Sequence, residues 1–174
     1  MREDTIHFFG VCRRLKVMRA PEFNFDEACA MQCELAAEKL RAFGMLRLKV
    51  KGWSMVPTVW PGDTLVIEAA DHSIVCSGDI VLFARHQRFV AHRVVENSSS
   101  GRGIETRGDA MTQMDAPIST RGVLGRVVSI ERNGKSITPR RELNAASRSV
   151  AAVVRRSPIA ARIAVAMHEA LQVL

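Results

Sequence analysis

Met45-Leu46-Arg47-Leu48-Lys49-Val50-Lys51-Gly52-Trp53-Ser54-Met55-Val56-Pro57-Thr58 changes character halfway along. Up to Lys51, apolar and basic residues alternate, the period of a strand with one face on a core and the other in water. At Gly52 the alternation stops, and a glycine, a serine and a proline follow in close succession, the marks of a turn. Strand and turn together present a serine hydroxyl just past the end of a sheet element.

The same reading extends downstream. Short strands are expected at Thr64–Ala69, Asp79–Ala84, Phe89–Glu96, Ile104–Arg107, Gly122–Glu131 and Ser136–Thr138. Pro61-Gly62, Ser77-Gly78, Asn97 to Gly103 and Asn133-Gly134 punctuate them, and Asn133-Gly134 predicts a tight hairpin. Many short strands with few helices between them predict a mainly β fold with flanking helices, its antiparallel sheet coiled and partly open.

Helices flank this region. Cys29, Cys33, Ala36, Leu40 and Phe43 recur at helical spacing, so a helix is expected from Phe25 to Phe43, with Asn24 and Glu27 as a capping box and Gly44 as the stop. A short strand is expected within Thr5–Val11. Downstream, Leu143, Ala146, Val150 and Val153 form a stripe, and Ser157-Pro158 opens a last apolar helix reaching about Val173. The expected organisation is an N-terminal segment and helix over 1–44, a β catalytic core over 45–140 and a helical extension over 141–174.

The chain has 174 residues, an apolar content of 47% and a formal net charge of +7, which suits one substantial domain and excludes general disorder. Its basic residues come in scattered pairs such as Arg13-Arg14, Arg140-Arg141 and Arg155-Arg156, with no base-stacking aromatic platform, so nucleic acid is not an expected partner. Cys12, Cys29, Cys33 and Cys76 complete no metal-ligand spacing and no disulfide framework. No metal or organic cofactor is expected. No run is long and apolar enough for a span or signal sequence, so the cytoplasm is the expected location. The apolar terminal helices are expected to pack on the domain, to pair with a second copy or to touch a membrane surface peripherally.

Ser54 needs a neighbouring base to become a nucleophile. His92 is the candidate, because it lies in an expected strand and imidazole ordinarily titrates near neutrality. His7, His72, His86 and His168 have no comparable setting. Asp109, in Arg107-Gly108-Asp109, and Asp115 compete to orient the imidazole. Gly52 allows close backbone approach, Pro57 stiffens the exit and Met55 is expected to anchor the turn inward. The Ser54 N–H is the expected oxyanion donor.

The boxes Gly52-Trp53-Ser54-Met55-Val56-Pro57-Thr58, Gly62-Asp63, His92-Arg93-Val94 and Arg107-Gly108-Asp109 with Asp115 resemble the signal peptidase family of serine proteases. They resemble most the archaeal and endoplasmic-reticulum branch, which uses histidine where bacterial enzymes use lysine and carries an aspartate six positions beyond the Gly-Asp box. The resemblance thus implies Asp115 as the triad carboxylate and Asp109 as a structural or supporting acid. The resemblance implies a signal-peptidase-like β core. It also implies a Ser-His-Asp endopeptidase that hydrolyses a protein or peptide precursor through an acyl-enzyme. Gly52 departs from bacterial relatives, which place a serine donor there. Lys51 does not match the lysine of the related self-cleaving repressors. A self-cleaving regulatory module and an inactive peptide-binding or oligomeric scaffold are the alternatives.

Overall fold

The computed structural model describes residues 25–70, 75–86, 88–98 and 103–171. Helix α1 (Phe25–Phe43) leads into strands β1 (Met45–Lys49), β2 (Thr64–Ala69), β3 (Ile80–Arg85), β4 (Arg88–Ser98), β5 (Gly103–Arg107), β6 (Val123–Arg132) and β7 (Lys135–Ile137). Helices α2 (Ala145–Arg156) and α3 (Pro158–Leu171) follow. The strand expected within Thr5–Val11 and the Asn24 cap lie outside the described residues.

The strands make one antiparallel sheet in the order β1-β2-β6-β3-β4-β5, with β7 paired to β6. It is not fully closed: among the described residues, β1 pairs only with β2 and β5 only with β4. Apolar alternation sets the register. Leu65 and Ile67 of β2 and Ile130 of β6 are buried, and Leu65 stands opposite Ile130. β3 is buried over four consecutive residues, Ile80 to Phe83, as suits a strand in the middle of a sheet. The Asn133-Gly134 turn joins β6 to β7 with both residues at positive φ, 50° and 73°.

Helix α1 closes one side of the sheet. Leu40 is 1% exposed and joins Met55, Val59, Leu65, Ile67, Ile80, Leu82, Val127 and Ile130 in the main core. A Cβ at Gly125 would come within 2.9 Å of Leu40, so the missing side chain lets the helix settle on β6. The expected apolar face is corrected at its end: Phe43 is 77% exposed. It stands in the last turn, where the chain bends at Gly44 (φ 70°) into β1. Gly44 N–H bonds the Leu40 carbonyl at 2.9 Å and so closes the helix.

The tail also shifts from its expected stripe. Asn144 caps α2 by accepting from the Ser147 N–H at 2.7 Å. The buried positions of α2 are Ala151 and Val154, while Val150 and Val153 face outward. In α3 the inward residues are small. Ala161 and Ala164 pack against Val56, Ala110 and Val154, and His168 stacks on Trp60 at 4.1 Å. Ile159, Ile163 and Met167 are exposed. Small side chains let α3 approach the serine turn closely, and the larger ones are left on the outer face. Among the described residues, no helix is long and apolar enough to cross a membrane.

Candidate active site

Ser54 sits in a turn held from three directions. Val56 N–H bonds the Trp53 carbonyl at 3.1 Å and Val59 N–H bonds the Met55 carbonyl at 3.0 Å. Met55, Val56 and Val59 are buried, so the turn is anchored by its own apolar side chains and leaves Ser54 partly exposed. The Val56-Pro57 peptide is cis. Asp63 fastens the far end: it accepts from the Trp60 N–H at 2.7 Å and pairs with Arg132. Gly52, just before the turn, lines the groove beside the serine, and a Cβ there would meet nothing within 4 Å.

His92 comes from β4, opposite Val81 of β3, and is 8% exposed. Its Nε2 lies 3.0 Å from Ser54 Oγ. Its Nδ1 lies 2.6 Å from Asp115 Oδ2. A carboxylate only accepts, so Nδ1 carries the proton and donates, which turns the lone pair of neutral Nε2 toward the serine hydroxyl. Phe83 meets the imidazole edge-on, with ring centres 6.2 Å apart.

Asp115 is itself held. Its Oδ2 also accepts from the Thr106 hydroxyl at 2.7 Å, and its backbone N–H bonds the Thr106 carbonyl at 2.9 Å. Arg85 approaches Oδ1 at 3.4 Å and donates to the Ala116 carbonyl at 2.6 Å. The sequence reading missed Thr106 and Arg85. The available signal was a polar residue at an inward position of a short strand: Thr106 is wholly buried in β5.

Asp109 stands apart from the imidazole. It accepts from Arg93 Nε and Nη2, both at 2.8 Å, and from the Thr58 hydroxyl. Arg93 also donates to the carbonyls of Gly78 and Arg140. These bonds tie the serine turn, β4 and the chain after β7 together. Gly108, one residue earlier, lies directly against the site. A Cβ there would fall 2.6 Å from the Ser54 carbonyl and 3.1 Å from His92 Nε2.

A groove of about 370 Å³ runs up to the Ser54–His92 pair, walled by Leu48, Val50, Leu82 and Phe89 to Ala91. Both long walls are strand edges. Among the described residues, one side of β1 has no strand partner and Arg88–His92 of β4 pair with β3 alone, since β5 joins β4 only from Arg93 onward. Lys49 and Lys51 also line the groove, but no lysine among the described residues hydrogen-bonds Ser54. Among the described residues, no group of three or more His, Cys, Asp or Glu side chains is arranged to hold a metal ion.

A half-open antiparallel sheet thus carries Ser54 at the head of a strand-edged groove. A family model described as Peptidase S24-like matches residues 18–128, more than half of the chain, and the chain belongs to that family, which makes it a serine peptidase. Comparison with curated proteins gave no match, and neither did comparison with solved structures.

This match corrects the assignment to the signal peptidases. It also corrects the function drawn from it, a precursor-cleaving endopeptidase working through a Ser-His-Asp acyl-enzyme. The S24-like peptidases are self-cleaving serine hydrolases that use a serine and a lysine. The misreading has a physical source. Asp63 of Gly62-Asp63 binds Trp60 and Arg132, and Asp109 of Arg107-Gly108-Asp109 binds Arg93 and Thr58. Both boxes build turns and sheet joints, so they report the β core and do not separate one family from another.

Proposed function

We propose that this chain is a self-cleaving serine peptidase whose nucleophile is Ser54, with His92 at the hydrogen-bonding position beside it. The observation that carries the reading is the 3.0 Å separation of Ser54 Oγ from His92 Nε2, together with the Asp115 bond that fixes the proton on Nδ1. In this reading Ser54 Oγ attacks a peptide carbonyl and gives its proton to a neighbouring base, which passes a proton to the departing amine. Water then frees the acyl group from Ser54, and the variants below decide whether that base is His92 or a groove lysine. Asp115 holds the imidazole, and Thr106 and Arg85 hold Asp115. Asp109 braces the site through Arg93. The Ser54 N–H, with Gly52 leaving room beside it, receives the developing oxyanion. The paired strand edges favour a substrate segment that enters extended and forms backbone hydrogen bonds.

The test follows fragment formation in purified protein by intact-mass spectrometry. Two fragments whose masses sum to the parent plus one water, formed at a rate independent of protein concentration, support self-cleavage. Cleavage whose rate rises with concentration points to attack on a second chain. The base is tested beside this with His92→Gln, His92→Lys and Lys51→Met. Loss in His92→Gln with retention in Lys51→Met supports His92. The opposite pattern gives the role to a groove lysine.

A further inference from the structure

Away from the serine groove, five arginines converge on one pocket. Arg93, Arg107, Arg141, Arg148 and Arg155 line a cavity of about 460 Å³ between β4, β5, α2 and the chain that precedes α2. Asp109 and Glu142 are its only acidic lining residues. The Asp109 carboxylate is already matched by the two-pronged Arg93 guanidinium and by Thr58. Arg141 reaches Asp79 at 3.0 Å. That leaves Arg107, Arg148 and Arg155 facing a single exposed carboxylate, Glu142.

A second observation marks the same place. Arg155 donates through Nη2 to the Asp109 carbonyl at 2.9 Å, but its Nε is buried without a hydrogen-bond partner. A buried donor on a charged group is costly to leave unmatched, and an unmatched donor in a folded protein commonly signals a missing water or ion. Guanidinium groups match the oxygens of phosphate two at a time.

We propose that this pocket binds a phosphorylated small molecule, its phosphate groups held by Arg107, Arg148 and Arg155. The volume exceeds one phosphate and accommodates a diphosphate. The site stands beside the serine turn in the bond pattern. Arg155 holds the Asp109 carbonyl, and the next residue, Ala110, donates to the Ser54 carbonyl at 2.8 Å. A ligand that tightens Arg155 therefore acts two residues away from the backbone that positions the nucleophile.

The experiment is calorimetric titration of the full chain with inorganic pyrophosphate and with inorganic phosphate at fixed ionic strength, with sodium chloride as the control. The expected result is saturable one-to-one binding, tighter for pyrophosphate. It should weaken at least about tenfold in Arg148→Gln, where the altered residue is exposed, and further in Arg107→Gln with Arg148→Gln. Arg121→Gln, exposed and outside the pocket, controls for general attraction to a basic protein and should bind as the unaltered chain does. Absence of saturable binding at millimolar pyrophosphate overturns the proposal, as does equal weakening by Arg121→Gln. A short DNA duplex forms the last arm. Duplex binding that exceeds pyrophosphate binding and is lost in the same variants would replace the small molecule with a nucleic-acid backbone.

Discussion

The backbone N–H of Ala110 bonds the carbonyl oxygen of Ser54 at 2.8 Å, joining the serine turn to the turn that follows β5. Gly108 and Asp109 lie in that second turn, and Met111 N–H closes it on the Gly108 carbonyl at 2.9 Å. Two segments far apart in sequence thus share one backbone bond beneath the reacting hydroxyl.

That contact makes Gly108 a sharp probe. In Gly108→Ala the new methyl would sit 2.6 Å from the Ser54 carbonyl and 3.1 Å from His92 Nε2, so backbone must move where the two turns meet. The expected outcome is a loss of self-cleavage of at least tenfold with a folded chain, read by fragment formation beside circular dichroism. The size follows from the sensitivity of reacting groups to displacements near 1 Å, about 100-fold in rate.

Ser54→Ala is expected to abolish cleavage and labelling by a fluorophosphonate while leaving thermal stability nearly unchanged, because Ser54 Oγ has His92 as its partner. His92→Gln should lower the rate by about 10²–10⁴-fold, the usual contribution of a positioned acid–base group. First-order rates from mass spectrometry check both.

The two aspartates should separate by readout. Asp115→Asn disturbs the imidazole and is expected to reduce cleavage by up to about 10⁴-fold with little effect on urea stability. Asp109→Asn leaves the Arg93 guanidinium buried beside a neutral partner and should destabilise the fold by about 3–5 kcal/mol. Urea denaturation of both variants, run beside the cleavage assay, provides the comparison.

The first helix offers a stability test. Leu40, 1% exposed, sits in the main core, and Leu40→Ala should cost about 2–5 kcal/mol. Phe43, 77% exposed, should tolerate Phe43→Ala within about 0.5 kcal/mol. Urea midpoints read both, and a large loss at Phe43 would show that its ring is covered in solution.

Periodicity carried most of the fold. The alternation of β1 and the turn signals at Gly62, Gly78 and Asn133-Gly134 mark strand edges to within about a residue or two, because the sheet has one wet and one dry face over much of its length. Helix faces were less legible. Ala161 is buried and Ile163 exposed, since what matters at that contact is how closely a backbone can approach. Hydrophobicity alone ranks those two the other way. Ser54, His92 and Asp115 were singled out through a family resemblance, and the structure brings their side chains together, but Thr106 and Arg85 were not singled out. Their partner Asp115 is brought to them only by the return of the chain after β5, and no spacing rule encodes that. The family was misread because the serine box and His92 were matched to the histidine-using signal peptidases, whereas the family match is to the S24-like peptidases.

One strand, β4, changes its company at the active site. From Arg93 onward one edge is taken by β5, and up to His92 that edge has no strand partner among the described residues. A peptide that zips onto the open edge continues the line of β5 and is read in steps of two, because alternate side chains face opposite sides of a pleat. A slip of one residue would exchange every side chain in the groove for its neighbour. Under the proposed function, choice of the bond to be cut then becomes a choice of register, made by the whole length of the strand before the serine acts.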